Sequence, residues 1–442
     1  MKETSIKYPF LTKNVKIYER ENGHKIVLAY KEGGMVNVSS WVKTGSINEN
    51  NNNNGISHFL EHLMFKGTHK HKAGEFDNIL ESKGAIVNAA TWKDYTFYYV
   101  TLPKGENDEN FDLAIELHAD MMTDPIIPDY EMGAPFDIND KTVTDKKERH
   151  VVIEEIRMRK DQPWTKVYNL TNNAMYTSHP YKRDVIGTPE IISQVSQEEI
   201  MNYYKTFYSP ENVTTIIVGE FDFEEVLNKV IKAFDWGERP HPPKRDILPD
   251  KPVNNTVYIE KDANINSSFM MFGYLGVPAR DLKNLIALEM LSTILGEGTS
   301  SRLYVNLVEN MEENIFNIID SESYSFRDGS NFFVQANFNP KYKEKAIELV
   351  KSEIEKLKEN ITERELNKAK KKLKSEFACE AETVSEIGES IGYYMTVCDD
   401  LDLAEQYIPV CESITTDYLT ETAKKYLDIN NAVISVLSPK NQ

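Results

Sequence analysis

Five prolines fall among charged residues at 238–252 of this 442-residue chain, and beyond them the order of predicted elements begins again. Proline fixes φ and removes a backbone donor, so such a run interrupts helix and sheet ladders alike. A chain of this length exceeds what one hydrophobic core usually supports. The expected organisation is therefore a first domain over 1–237, a linker over 238–252 and a second domain over 253–442.

Alternation of apolar and polar residues at 15–18 and 25–30, around Asn22-Gly23, predicts a β-hairpin, and 36–42 a third strand. An Asn-rich loop at 48–54 leads into a helix over 57–65. Further helices are expected at 74–83, 111–122, 147–160, 197–207 and 223–234, with strands within 85–102 and at 212–218. The irregular stretch 125–147 reads as a surface insertion. Beyond the linker, strands at 255–259 and 267–274 precede a helix at 282–295. Gly298-Thr299 stands where Gly67-Thr68 stood, and Asp328-Gly-Ser-Asn-Phe-Phe-Val334 echoes Asp94-Tyr-Thr-Phe-Tyr-Tyr-Val100. The fold class expected is α+β, two similar domains, each a mainly antiparallel sheet covered by helices.

A formal net charge of −19 argues against a nucleic-acid partner, which needs clustered Lys and Arg. No stretch approaches the ~20 apolar residues of a membrane span, and the first residues lack the pattern of a signal or transit peptide. A cytoplasmic location is the expectation. Cys379, Cys398 and Cys411, without a CxxC pair, read as reduced packing residues.

The strongest chemical signal is His58-Phe-Leu-Glu61-His62. Residues three and four apart project from one helix face, so two imidazoles can share a cation with a carboxylate beside them. Zinc suits neutral His nitrogens, with a carboxylate as third ligand and water in the fourth place. Glu61, left uncoordinated, can then act as general base. The neighbours Phe59, Leu60, Leu63, Met64 and Phe65 make the segment strongly apolar, where charged groups are costly unless paired or ligated. Aligning Gly67-Thr68 with Gly298-Thr299 puts Glu289, Ser292 and Thr293 at the positions of His58, Glu61 and His62, so the second domain has no equivalent site.

The third ligand must come from elsewhere, and the predicted helix at 147–160 offers Glu148, His150, Glu154 and Glu155. Glu148, Val152 and Glu155 share a face, while Glu154 points about a hundred degrees away. The pattern leans towards Glu155 without excluding the others. His69, His71, His118 and His179 read as structural or solvated.

The run His58-Phe-Leu-Glu-His-Leu-Met-Phe-Lys-Gly-Thr68 resembles the signature of the pitrilysin-like zinc peptidases, the inverted-zincin family. The likeness covers nearly the whole chain: Asn88-Ala-Ala-Thr91 with Thr96 and Tyr98, Val152-Ile-Glu-Glu-Ile156, His179-Pro-Tyr181, Ile186-Gly187, Tyr208-Ser-Pro-Glu-Asn212 and Val218-Gly219 follow in the family order. The resemblance implies a zinc-dependent endopeptidase with one Zn2+ per chain on His58, His62 and Glu155, Glu61 as catalytic base and Glu148 as a second catalytic glutamate. It implies that Asn88, Ala89 and Ala90 bind substrate backbone by strand addition, and that the two domains form one half of a clamshell chamber that a second subunit completes. One departure stands out. Active members usually carry an Arg and a Tyr, seven residues apart, after a Ser-Arg-Leu segment, to stabilise the oxyanion. Here Ser301-Arg302-Leu303 is followed by Val308 in place of the Arg and by Ile315 or Phe316 in place of the Tyr. The resemblance therefore implies a heterodimer with a homologous zinc-less subunit, a homodimer being the alternative. A metal-binding scaffold that hydrolyses nothing by itself is the competing reading.

Overall fold

Sheet order explains how a repeated design is built. The computed structural model describes residues 1–140, 142 and 147–440. The first sheet collects β1 (Lys2–Ile6), β2 (Val15–Glu19), β3 (Lys25–Tyr30), β4 (Met35–Val42), β5 (Ile86–Thr91), β6 (Thr96–Pro103) and β7 (Val213–Gly219). Their spatial order is β1-β2-β3-β7-β4-β6-β5. The hairpin around Asn22-Gly23 forms as β2 and β3. However, β4 is not the next strand in space, because β7, from far along the chain, enters between β3 and β4.

The second sheet is formed by β8 (Val257–Ala263), β9 (Ser268–Leu275), β10 (Phe316–Phe326), β11 (Gly329–Phe338) and β12 (Val433–Pro439), in the order β10-β11-β9-β12-β8. Read from its other edge, β8-β12-β9-β11-β10 reproduces β3-β7-β4-β6-β5 strand for strand. The one parallel pair recurs at the same place, β3 with β7 and β8 with β12, and every other pair is antiparallel. The echo between 94–100 and 328–334 marks equivalent strands, β6 and β11, each paired to an edge strand.

As far as the start of β10, the main helices between these strands are α1 (Ile56–Met64), α2 (Glu75–Glu81), α3 (Glu109–Thr123), α4 (Asp129–Met132), α5 (Glu148–Asp161), α6 (Pro163–Met175), α7 (Pro189–Ile192), α8 (Gln197–Phe207), α9 (Phe223–Ala233) and α10 (Leu282–Gly296). Further helices, Lys343–Glu359, Glu363–Cys379, Val384–Tyr393, Asp402–Ser413 and Thr416–Tyr426, lie between β11 and β12. In the expected insertion at 125–147, α4 is the one element described, and residues 141 and 143–146 lie outside the described residues. The expected strands and helices lie within a few residues of their predicted positions, whereas β1 and α6 carry no signal that periodicity caught.

The chain divides into two compact units that interleave along the sequence. The first comprises 1–157, 183–246 and 378–405, and the second 158–182, 247–377 and 406–442. A linear division at a proline-rich linker does not contain this exchange. In the first unit the helix Val384–Tyr393 lies on β4 and β7. Gly392 admits the Trp41 ring, which a Cβ there would meet at 2.0 Å, and Tyr8 Oη bonds Ser390 Oγ at 2.8 Å. On the opposite face of the same sheet, Val36, Val38, Val42, Tyr98 and Val100 form one core with Phe59, Leu60 and Leu63 of α1. Covered on both faces, β4 is buried almost throughout, as expected of a central strand between two layers.

Among the described residues no helix is long and apolar enough to cross a membrane. The three cysteines are thiols. Cys398 and Cys411 are buried as packing residues, but Cys379, at the end of its helix, is exposed.

Candidate metal centre

The helix α1 is amphipathic in an unusual sense, since both of its faces are enclosed. Phe59, Leu60, Leu63 and Met64 are fully buried, each contributing about 1.5–3 kcal/mol relative to exposure. On the other face His58 and Glu61 are also buried, and His62 is half-buried. The helix starts at Gly55, whose φ of +96° is a left-handed conformation that glycine adopts without strain.

The two histidines meet Glu155 of α5. Nε2 of His58 and Nε2 of His62 each lie 3.6 Å from Glu155 Oε2, and one ligand atom from each of the three residues falls within 4.8 Å of the others. A tetrahedral zinc holds N and O ligands at about 2.0–2.2 Å, which sets ligand atoms roughly 3.3–3.6 Å apart. The donor set and its spacing fit that ion. It is the one such cluster among the described residues.

Glu148, at the first turn of α5, lies beside the cluster. Its Oε1 is 2.9 Å from His62 Nδ1, leaving Nε2 to face Glu155, and its Oε2 pairs with Lys66 Nζ at 2.6 Å. A carboxylate on the far nitrogen of a ligating imidazole fixes its tautomer and orientation. Burial works against the charged imidazole of His62, yet Glu148, Glu155 and Glu61 together push its pKa up to about 9. Burial likewise raises the Glu148 carboxyl, but His62 and Lys66 outweigh it and hold it below its ordinary value. The site therefore has a strong field for a cation, which in the bare protein holds a proton on His62.

Of the four candidates on α5, Glu148 and Glu155 turn to the histidines. Glu154 instead pairs with Arg157 at 2.6 Å, and the His150 ring stacks on Phe136 at 4.6 Å. His69 bonds Asp124 at 2.8 Å, His71 bonds Asp120 at 3.0 Å and His118 bonds Ser40 at 3.0 Å. His179 accepts from Tyr181 N at 3.2 Å. None of these four joins the cluster.

Glu61 is gripped from β5, where Thr91 Oγ1 donates to Glu61 Oε2 at 2.5 Å. Asn88, Ala89 and Ala90 lie on this same strand, which ends the first sheet. Asn88 is exposed, and its Oδ1 accepts the Ala89 N–H at 2.9 Å. Lys66 and the Thr91 contact were missed by sequence reasoning, because neither an ion pair to Glu148 nor a bond to Glu61 leaves a trace in spacing.

Among its described residues the second unit presents no equivalent site. On α10, Glu289 accepts from Tyr407 Oη at 3.1 Å and Thr293 Oγ1 bonds Glu297 at 2.9 Å, while Ser292 is buried. Ile315 and Phe316 are buried in the core, so the positions where the resemblance expects an oxyanion tyrosine serve packing.

Fold and site together define a class: a repeated α+β chain in which one unit carries a two-histidine, one-carboxylate cluster with a further glutamate beside it. Comparison with known proteins names that class. Residues 25–189 match the family described as insulinase (peptidase family M16), and residues 194–373 match the family's inactive domain. The zinc protease PqqE of Helicobacter pylori is 30% identical over 428 residues, spanning 95% of this chain and 91% of that one. The crystal structure of a protease from Helicobacter pylori superposes with a TM-score of 0.84 at 28% identity, covering 96% of this chain and 99% of that chain. The first half of the periplasmic protease PqqL of Escherichia coli shares the fold at a TM-score of 0.77 and 18% identity, covering 98% and 93%. The chain belongs to peptidase family M16, the pitrilysin-like family.

Proposed function

We propose that the chain is a zinc-dependent endopeptidase that hydrolyses peptides or unfolded protein segments, with one zinc per chain held by His58, His62 and Glu155. The observation that carries this reading is the 3.6 Å spacing of both Nε2 atoms to Glu155 Oε2, with Glu61 beside them and held by Thr91. When bound, zinc supplies Lewis acidity and brings the pKa of a water in its open position down to about 7.

The chain's own residues do the rest. Glu61 takes the water's proton and returns it to the leaving amine. Glu148 holds the Nδ1–H of His62, which orients the ring and leaves Nε2 as the nitrogen that would ligate the metal. The edge strand β5 receives the substrate backbone along Asn88, Ala89 and Ala90, giving affinity with little sequence preference. An incoming strand displaces the local Asn88–Ala89 bond.

No oxyanion donor comes from Val308, Ile315 or Phe316. In this proposal a homologous zinc-less subunit supplies an Arg and a Tyr across a heterodimer, closing two halves around the substrate. The burial of Ile315 and Phe316 favours it over a self-sufficient enzyme. A homodimer, and a chain that binds metal purely as a scaffold, are the alternatives.

The test is cleavage of a quenched fluorescent peptide by the zinc-loaded chain, alone and with a homologous partner, against Glu61→Gln. Cleavage that requires the partner and disappears in the variant supports the full reading. Cleavage by the chain alone, abolished in the variant, keeps the peptidase and removes the partner. Zinc binding without cleavage in either case leaves the scaffold.

A further inference from the structure

Glu49 is a buried carboxylate outside the metal cluster, and both of its carboxylate oxygens accept hydrogen bonds from the turn that opens α1. Its Oε2 accepts from Asn54 Nδ2 at 2.7 Å and from Gly55 N at 2.8 Å. Its Oε1 accepts from Ser57 N at 2.9 Å and from Ser57 Oγ at 2.6 Å. A nine-residue helix is marginal by itself, and Gly55 at its start has no side chain with which to satisfy the first N–H groups. Glu49 fills that role from six residues upstream, and its charge faces the positive end of the helix dipole.

The cap is itself anchored on several sides. Ser57 Oγ also bonds Tyr203 Oη of α8 at 2.8 Å, and Tyr203 Oη bonds Thr44 Oγ1 at 2.6 Å. The Arg183 guanidinium donates to the backbone carbonyl of Glu49, and Asn54 Nδ2 donates to Asp184 O at 2.9 Å. Gly187 packs so closely on this turn that a Cβ there would lie 2.4 Å from Asn54 O. Lys93 Nζ, from the β5–β6 turn, bonds Arg183 O at 3.1 Å. One network thus joins the start of α1 to the hairpin that carries Thr91. Burial pushes the Glu49 carboxyl up, and its four donors oppose that shift.

We propose that Glu49 is a positioning residue for the metal helix: as a buried anionic cap it fixes the rotation and axial place of α1, and so the aim of His58, Glu61 and His62 at Glu155. The proposal rests on the zinc-peptidase reading. An acceptor of four donors has no isosteric neutral substitute, because Gln presents an NH2 group to two of them. The link is mechanical, from Glu49 through Ser57 to His58, the next residue.

The test compares zinc affinity, read on the full chain by competition with a chromophoric chelator, and the kcat and KM of peptide cleavage by whichever form cleaves in the test above, the chain alone or with a homologous partner. The variants are Glu49→Gln, Ser57→Ala and a core control on α9, Val230→Ala. Glu49→Gln is expected to weaken zinc binding about 10–100-fold and to lower kcat with KM little changed. Ser57→Ala, which removes one of the four donors, shifts both in the same direction by less, and decides the matter if Glu49→Gln does not fold. Val230→Ala lowers the melting temperature and leaves both readouts at the wild-type value. If the capping variants lose only thermal stability, as the control does, Glu49 is structural and the proposal is overturned. A wild-type chain that binds no zinc at His58, His62 and Glu155 overturns the zinc reading and this proposal with it, whereas zinc binding unchanged in both capping variants overturns this proposal alone.

Discussion

Thr91 Oγ1 donates to Glu61 Oε2 at 2.5 Å, so the strand that borders the site also holds its non-coordinating carboxylate. A hydrogen bond to a charged group contributes about 1.5–3 kcal/mol, roughly 10–100-fold in rate if it acts on the reacting geometry. Thr91→Val is expected to lower kcat about tenfold or more with KM little changed, and Thr91→Ser to recover most of it. Steady-state kinetics on the three proteins checks this, and equal loss in both variants would contradict it.

The pair His62–Glu148 has a separate consequence. Glu148→Gln keeps an oxygen that can accept the Nδ1–H but removes the charge that faces both His62 and Lys66. Zinc affinity should fall about 10–100-fold while the melting temperature of the metal-free chain changes little. Chelator competition and calorimetry measure the two quantities.

Two histidines remote from the site make the fold sensitive to acid. His24 and His118 are buried on either side of a hydroxyl pair: His24 Nε2 to Thr215 Oγ1 at 2.9 Å, Thr215 to Ser40 at 3.3 Å, and Ser40 to His118 Nε2 at 3.0 Å. Burial pushes both pKa values down to about 3. A group depressed in the folded state binds its proton more readily when unfolded. The stability these residues contribute is therefore complete above pH 6.5 and is lost as pH falls from 6.5 towards 3, by up to about 1.4 kcal/mol per pH unit for each residue. Urea midpoints at pH 7.5 and 5.0 should differ strongly for the wild type and less for His118→Gln. An equal difference in both would contradict this account.

Gly187 has a φ of +79° and lies against Asn54 and Gly55. Gly187→Val meets both a strained backbone conformation and a backbone clash, neither of which a rotamer change relieves. A loss of about 2 kcal/mol or more is expected, read as a lower denaturation midpoint, together with weaker zinc binding through the displaced start of α1.

Much of this architecture was legible because helical periodicity is local. The spacing of His58, Glu61 and His62 alone places them on one face, and the face shared by Glu148 and Glu155 separates them from Glu154 in the same way. The two-domain reading came from the proline-rich 238–252 and the repeated Gly-Thr pair. The insertion of β7 between β3 and β4 was not legible, since pairing across some 180 residues leaves no local pattern. Neither was the exchange of segments between units, which brings the helix Val384–Tyr393 onto the first sheet. Glu49 lay in a loop that looked merely polar, and only its burial with four donors marks it out.

The most direct test of the central claim is zinc K-edge X-ray absorption on the purified chain, with metal content measured on the same sample, for the wild type, His62→Ala and Glu155→Gln. The account predicts one zinc per wild-type chain, with two imidazole nitrogens and a carboxylate oxygen at about 2.0–2.2 Å, and loss of that environment in both variants. A chain without stoichiometric zinc, or a zinc environment that neither substitution changes, would contradict it.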